Sequence, residues 1–413
     1  QSVIGGVRRA KPVSLNAVCQ IFMQNKGKQS ILEKIKRPVD PKLFIKEIDG
    51  LRFLAILTVF MLHLNNYVSR SVGRNFNAGI SDFFSWDWFI NRFGFGVEIF
   101  FAISGFVISL PFLRHYMYHE KKTELKVYYR RRFSRIGWPF LLSCVIFYTL
   151  YVVANRLSLA GESPHLFSAV AYVHTLIYGA WAPFNPVTWS LEAEVQFYLI
   201  APFLIGFIFS NHSLMLVKLL GLAAAAIVVR ALFLDDIARL HLDRTVFVFL
   251  PLFLSGFLLA FIYLRHNDFL LRKSYVWDAV AAAVFFGMLW TTYAPNRTAF
   301  TVCCFVFLVA VFKSRLLNRM LTHKAVYVLG GMSYSFYLLH YPMFYLFGKV
   351  FGQHLMWSES YVANYFTHAL VFFPLTILVA SVFYWVVERP CIARKRNVRL
   401  RAANGFAGKL NVN

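Results

Sequence analysis

Residues 49–67 read DGLRFLAILTVFMLHLNNY, and this stretch decides the class of fold. The ten residues between Arg52 and His63 are all apolar except Thr58, as expected of a helix inside a lipid bilayer. Ionisable side chains are costly in a bilayer, so two of them in one membrane helix favour a functional role. The alternative is structural: Arg52 reaches the lipid head groups, and His63 is a packed, hydrogen-bonded residue. Because the two residues are close to three helical turns apart, we predict that they share one helix face, about 16 Å apart along the axis.

Similar apolar runs recur along most of the 413-residue chain, in which 58% of the residues are hydrophobic and only 15% are charged. Runs of about 20 apolar residues span the hydrocarbon core as helices, and their continuous character argues against a β-barrel. We therefore predict an all-α, polytopic membrane helix bundle. About ten spans are expected, at residues 51–68, 94–113, 137–156, 190–210, 214–234, 246–264, 276–293, 298–312, 326–348 and 364–388. The run at 166–182 is predicted to be an extra re-entrant or partial segment.

The distribution of basic residues predicts the orientation of these spans. With ten spans and a cytosolic N-terminus, most of the 43 Lys and Arg residues fall on the cytosolic side, as the positive-inside rule requires. This predicts a basic cytosolic tail at 1–47, a membrane domain at 48–390 and a basic cytosolic tail at 391–413. The net charge of +24 then faces anionic membrane lipid, and we expect no nucleic-acid partner.

Two acidic residues are predicted to lie within the membrane. Glu98, in GFGVEIFFAISGFVIS (94–109), needs a partner or a pore at that depth. The small residues of the same run, including Gly96 and Gly105, are interpreted as sites of close helix packing. In NPVTWSLEAEVQFYL (185–199), Glu192 fits a solvated acid at a helix N-terminus, whereas Glu194 lies deeper.

An arginine cluster lies in YYRRRFSRIGWPF (128–140), beside the predicted cytosolic end of the third span. It comprises Arg130, Arg131, Arg132 and Arg135. The cluster is either an ordinary anchor at the membrane surface or a site for phosphate groups, which arginine binds bidentately. A polyanion site with an ionisable histidine further in suits group transfer from a phosphorylated carrier to an acceptor across the membrane. A transporter for lipid-linked sugars is the alternative, since it also needs polar groups in a pore.

Six motifs in order resemble the acyltransferase-3 family of integral membrane O-acyltransferases. They are the Arg52–His63 spacing, GVEIFFAISGFVIS (96–109), RRRFSRIGWP (130–139), WSLEAEVQFYLIAP (189–202), GGMSYSFYLLHYPM (330–343) and FYWVVERP (383–390). Two positions depart from the family pattern. Glu98 stands where aspartate is common, and Val195 stands where a second acid often follows the position of Glu194.

The resemblance implies transfer of an acyl group, most often acetyl, from cytosolic acyl-coenzyme A to a hydroxyl group. The acceptor would be a cell-surface carbohydrate or its lipid-linked precursor, with an antibiotic or other small molecule as the alternative. The chain resembles stand-alone members, without a fused hydrolase-like domain, and the expected location is the bacterial cytoplasmic (inner) membrane. We expect no metal, because His63, His174 and His340 lack the spacing of metal ligands.

The resemblance also implies residue roles. Arg52 and the arginine cluster would bind the phosphates of coenzyme A, and His63 would act as the general base. Glu194 or Glu98 would orient the imidazole, while Trp189 and Ser190 would line the substrate site. A covalent acyl-enzyme is the alternative chemistry. His340, in YLLHYP, is predicted to be a packed residue near the outer end of its span.

Overall fold

The computed structural model describes residues 37–38, 44–71, 85–154, 156–293 and 297–392. The prediction of an all-α fold is confirmed, since these ranges contain helices and turns but no strand. Most of the two predicted tails, 1–47 and 391–413, lies outside the described residues. The α-helices are α1 (Lys46–Ser71), α2 (Trp86–Asn91), α3 (Gly96–Tyr118), α4 (Leu125–Val153), α5 (Leu159–Val170), α6 (His174–Tyr178), α7 (Trp189–Phe209), α8 (Met215–Leu232), α9 (Leu234–Arg239), α10 (Val246–Arg265), α11 (Asn267–Leu271), α12 (Val276–Thr291), α13 (Thr298–Lys313), α14 (Leu316–Leu321), α15 (Lys324–Gly331), α16 (Ser333–Phe351) and α17 (Tyr361–Phe383).

Six helical segments of the described chain are long and apolar enough to cross a membrane. They are Trp88–Tyr118, Leu125–Val153, Pro186–Phe209, Met215–Leu232, Val246–Arg265 and Tyr361–Ile392. The remaining four of the ten predicted spans stay predictions. Helices α12 and α13 are apolar but shorter, α1 carries several polar residues, and the predicted span 326–348 is divided between α15 and α16.

The predicted partial segment at 166–182 consists of the end of α5, a turn and the short helix α6. Neither helix is long enough to cross a hydrocarbon core of about 30 Å at 1.5 Å per residue. Tyr172 in the turn adopts a left-handed backbone conformation (φ 59°), and Gly179 does the same (φ 59°) immediately after α6. These two residues follow the ends of α5 and α6, where a left-handed conformation stops a helix.

Close glycine contacts join α3 to α10. A Cβ atom at Gly105 would lie 2.0 Å from the carbonyl oxygen of Phe253, and one at Gly256 would lie 2.0 Å from that of Ala102. Only hydrogen fits at either position, so the two backbones approach each other directly. This packing, predicted for Gly105 from the sequence, holds the face of α3 that lines the candidate site.

Helix α1 lies at the centre of the bundle and contributes to both apolar cores. Its first half packs with α3, α14 and α15, and its second half packs with α16 and α17. Helices α1 and α16 run side by side in the same direction, because Phe60 contacts Phe336 while Arg70, further along, contacts Tyr345. Asp49 and Arg52 of α1 are therefore buried in protein, and His63 lies against α16.

Candidate functional site

Arg52 is part of a buried charge cluster at the N-terminal end of α1. Its guanidinium is paired with Asp49, one turn earlier, and Asp49 also pairs with Arg37 at 3.2 Å. Arg135 of α4 and Glu388, just beyond α17, lie close enough to interact electrostatically with Arg37. Three arginines thus face two carboxylates, so the cluster retains a net positive charge.

A narrow cavity of about 80 Å³ lies against this cluster, and we call it the arginine cavity. Its polar lining residues are Arg52, Ser104, Arg132, Arg135, Ser190, Glu194, Tyr198, Ser333, Tyr334 and Tyr337. They come from α1, α3, α4, α7 and α16, which are far apart in the sequence. The fold therefore brings Arg52, two members of the arginine cluster, Ser190 and Glu194 to one cavity.

Glu194 is held on the wall of the arginine cavity by two hydroxyl groups. Ser104 Oγ and Tyr198 Oη each donate to its Oε1 at 2.5 Å. The Arg132 guanidinium lies 5.7 Å from the centre of the Tyr198 ring. These hydrogen bonds leave Glu194 in the cavity that contains the arginines.

Several predicted site residues lie elsewhere. Arg130 lines a separate surface cavity beside Trp138, and Arg131 is not among the residues that line the arginine cavity. The Trp189 ring packs in the apolar core, 5.7 Å from the ring centre of Phe249. These positions follow from the helical period, since the neighbours of a cavity-lining residue point to other faces.

Glu98 forms an ion pair with Arg297, immediately before α13. Its second carboxylate oxygen is buried without a hydrogen-bond partner among the described residues. The pair supplies the partner that a carboxylate at this depth requires, and it was not predicted because the two residues are distant in the sequence. A role of Glu98 or Glu194 in orienting His63 stays a prediction.

His63 lies beside a second histidine. Its ring centre is 5.3 Å from that of His340 and 5.1 Å from that of Tyr341, which meets it edge-on. His340 is fully buried, and its Nδ1 is 2.8 Å from the backbone oxygen of Tyr337. Because a carbonyl oxygen can only accept, Nδ1 of His340 carries the proton, and Nε2 of the neutral ring is an acceptor.

The two histidines each leave one buried nitrogen without a partner in the described part of the chain, Nδ1 of His63 and Nε2 of His340. One is a potential donor and the other an acceptor, on rings that already touch. Buried polar atoms are nearly always hydrogen-bonded, so these two nitrogens have an unused capacity to bind each other or a ligand.

Tyr337 connects the arginine cavity to the histidines. Its hydroxyl is 2.7 Å from Ser190 Oγ on the cavity wall, and its ring centre is 5.6 Å from that of His340. Ser190 is thus placed where the cavity ends and the histidine pair begins.

A wider cavity of about 950 Å³ lies at the other end of α1, and we call it the tyrosine cavity. Its polar and aromatic lining residues are Tyr67, Arg70, Phe147, Tyr151, Arg156, Trp181, Tyr341, Tyr345 and Lys349. Tyr341 is the residue whose ring meets His63 edge-on. The histidine pair therefore lies between two cavities at opposite ends of α1 and α16.

Sequence reasoning missed several of these residues. Asp49, one turn before Arg52, and the acid of the VVERP segment, Glu388, are visible in the sequence but have no partner until the helices pack. In YLLHYP the helical spacing places Tyr337, His340 and Tyr341 on one face, which could have indicated a polar stripe along α16. Nothing local shows that this stripe lies against His63.

Comparison with known proteins gives one family. Residues 45–385 match the model of the acyltransferase domain family. The O-acetyltransferase OatA of Staphylococcus aureus (strain NCTC 8325 / PS 47) is 24% identical over 396 residues, covering 87% of this chain and 58% of the relative. The peptidoglycan O-acetyltransferase OatA of Listeria monocytogenes is 26% identical over 400 residues, covering 89% of this chain and 58% of the relative. The chain thus spans less than two thirds of these relatives' length, and no solved structure matches it significantly.

Proposed function

This chain belongs to the acyltransferase domain family, and from that premise we propose that it is a membrane O-acyltransferase. It moves an acyl group, for which we propose acetyl, from acyl-coenzyme A in the cytosol to a hydroxyl group of a carbohydrate. The relatives named above are O-acetyltransferases, one of them a peptidoglycan O-acetyltransferase. We propose a cell-surface carbohydrate or its lipid-linked precursor as the acceptor, and the bacterial cytoplasmic membrane as the location.

The observation that supports this function best is the placement of His63 and His340 between the two cavities. Acyl transfer across a membrane needs a donor site, an acceptor site and a base where they meet. The arginine cavity, His63 and the tyrosine cavity lie in that order along α1. A transporter needs a pathway but has no need of a base between two sites.

Donor binding is assigned to the arginine cavity. Arg52, Arg132 and Arg135 lie where they can bind the phosphates of coenzyme A, which guanidinium groups recognise bidentately. A cavity of about 80 Å³ is too narrow for the donor's pantetheine arm, so its walls have to move apart. Donor binding is accordingly expected to be an induced-fit step, and no metal is required for it.

His63 is the proposed general base. As the acceptor oxygen attacks the thioester carbonyl, its proton passes to Nε2 of His63 and the carbon–sulfur bond breaks. The departing thiolate then takes that proton from the imidazolium, so the protons balance. General base catalysis of this kind contributes about 10²- to 10⁴-fold.

His340 is proposed as a positioning residue for this base. Its Nε2 is the acceptor that Nδ1–H of His63 lacks, and the two rings are in contact. A hydrogen bond between them would hold His63 in the tautomer whose Nε2 is free to accept a proton, the task that the carboxylate performs in a catalytic triad.

The proposal is tested with the purified full chain in lipid nanodiscs, supplied with acetyl-coenzyme A and sugar acceptors. We expect release of free coenzyme A thiol that depends on the acceptor, and no release with His63→Ala, while the variant still inserts and folds. Thiol release from His63→Ala at the wild-type rate would contradict the role of His63. In cells, mass spectrometry of surface glycans with and without the gene should show the loss of an acetyl-bearing species, which identifies the acceptor.

A further inference from the structure

The tyrosine cavity carries three cationic side chains whose presence the acyl transfer itself does not explain. Arg70 lies in the last turn of α1, Arg156 follows α4, and Lys349 lies near the end of α16. All three are exposed, and they converge on one cavity from three separate segments. Its volume of about 950 Å³ is at the upper end of that of small-molecule sites.

These charges are not neutralised within the part of the chain that the structure describes. The lining of the tyrosine cavity contains no carboxylate, and no ion pair of Arg70, Arg156 or Lys349 occurs among the described residues. Arg52 and Glu98 behave differently, since Arg52 pairs with Asp49 and Glu98 pairs with Arg297. An uncompensated cluster of three cations attracts an anionic ligand.

A chain of contacts through two tyrosine hydroxyl groups connects Arg70 to the histidine pair. Its Nη1 donates to Tyr345 Oη at 3.2 Å, and that hydroxyl is 3.4 Å from Tyr341 Oη. Tyr341 is the ring that contacts His63. Seven residues separate His63 from Arg70 on α1, a rise of about 10 Å, which one sugar ring and its substituent can span.

Aromatic side chains line the space between the cations and the histidines. Tyr67, Tyr151, Trp181, Tyr341 and Tyr345 offer flat apolar faces together with polar groups that can hydrogen-bond. This combination suits a carbohydrate, whose rings have apolar faces and polar edges. Leu150, Val153 and Leu346 also line the cavity and are exposed, so one wall continues onto the apolar surface of the protein.

We infer that the tyrosine cavity is an acceptor site for a carbohydrate that bears a negative charge beside the hydroxyl that is acylated. The anionic group, a phosphate or a carboxylate, binds Arg70, Arg156 and Lys349, and the sugar ring lies between them and His63. This inference rests on the proposed acyltransferase function and specifies the class of its acceptor. A phosphate would belong to a lipid-linked sugar, and a carboxylate to the sugar itself.

The test measures binding of three matched sugars to the full chain in nanodiscs by isothermal titration calorimetry. N-acetylglucosamine is neutral, N-acetylmuramic acid adds a carboxylate to the same ring, and N-acetylglucosamine 1-phosphate adds a phosphate. We expect at least one anionic sugar to bind about tenfold or more tightly than the neutral one, as charge-assisted hydrogen bonds allow. The preferred anion distinguishes the two sources.

The double variant Arg70→Gln/Arg156→Gln should abolish this preference while leaving the affinity for N-acetylglucosamine unchanged. Arg239→Gln is the matched control, because Arg239 is 79% exposed, pairs only at the surface with Asp236 and lies outside the cavity. Equal affinity for the three sugars, or binding of none of them, overturns the inference.

The same preparations separate this inference from the proposed function. Thiol release from acetyl-coenzyme A with equal affinity for charged and neutral sugars would overturn the anionic site alone. A preference for anionic sugars that depends on Arg70, in a protein that never releases thiol with any acceptor, would instead overturn the acyltransferase assignment.

Discussion

At the scale of single residues, the candidate chemistry depends on which nitrogen of His63 carries a proton. Its Nδ1 is buried without a partner among the described residues, and its ring lies beside that of His340, whose own tautomer is set by a backbone carbonyl. An ionisable residue inside a membrane protein usually has a specific partner, and we propose His340, whose ring lies beside that of His63, as this partner.

Replacing His340 tests this partnership. His340→Phe keeps a flat ring stacked near Phe336 but removes the acceptor, so we expect kcat to fall about 10- to 100-fold. KM for acetyl-coenzyme A should not change, because the arginine cavity is untouched. His340→Gln retains an acceptor oxygen and should recover part of the lost kcat. A purely structural role would instead lower the melting temperature of both variants and move kcat equally.

Arg52 is predicted to bind the donor. Arg52→Gln removes a guanidinium from the wall of the arginine cavity, and the loss of a hydrogen bond to a charged group predicts about 10- to 100-fold weaker binding of coenzyme A. Calorimetric titration of the full chain with coenzyme A measures this change. Arg265→Gln, at the exposed end of α10, is the control. Unchanged affinity in Arg52→Gln would show that the donor phosphates bind elsewhere.

At the scale of the helices, the site depends on how closely α3 and α10 approach each other. Ser104 is adjacent to Gly105 on α3, so the spacing of these helices determines where the partner of Glu194 lies. Close packing through small residues takes the place of the hydrophobic effect between helices in lipid.

A single methyl group tests this packing. Gly105→Ala places a Cβ 2.0 Å from a backbone oxygen of α10, so we expect the helices to separate and the protein to lose about 1–3 kcal/mol or more of stability. Gly221→Ala is the matched control, since a Cβ there meets nothing within 4 Å. Thermal unfolding followed by tryptophan fluorescence compares them. Equal melting temperatures would mean that the α3–α10 contact is not close in the folded protein.

At the scale of the whole molecule, the two cavities lie at opposite ends of one helix, α1, so the donor and the acceptor can each have a separate site. If α1 begins at the cytosolic side, as the basic residues predict, donor and acceptor approach from opposite sides of the membrane. The acyl group alone has to pass the histidine pair, and neither substrate needs to cross.

Sidedness can be measured in sealed proteoliposomes. We expect acetyl transfer to N-acetylmuramic acid only when acetyl-coenzyme A is supplied on the side of the basic C-terminal tail and the sugar on the other. Trypsin cleavage of that tail reports the orientation of the protein. Transfer with both substrates confined to the tail side would contradict an acceptor site at the far end of α1.

The sequence alone determined the all-helical class, the family and half of the candidate site. Apolar runs of membrane length form helices, because the backbone polar groups have to be hydrogen-bonded within the segment. Arg52 and His63 lie in one continuous helix, so their separation follows from helix geometry alone. Such features depend only on neighbouring residues, so they can be interpreted without knowing the packing.

Only the tertiary structure decided which polar groups meet. Glu98 pairs with Arg297, Glu194 with Ser104 and Tyr198, and His63 lies against His340. In the sequence, each of these side chains has several possible partners that look equally suitable. Helix contacts such as that of Gly105 with Phe253 determine which of these partners meet. Two helix backbones approach this closely only at residues without a side chain, which are glycines.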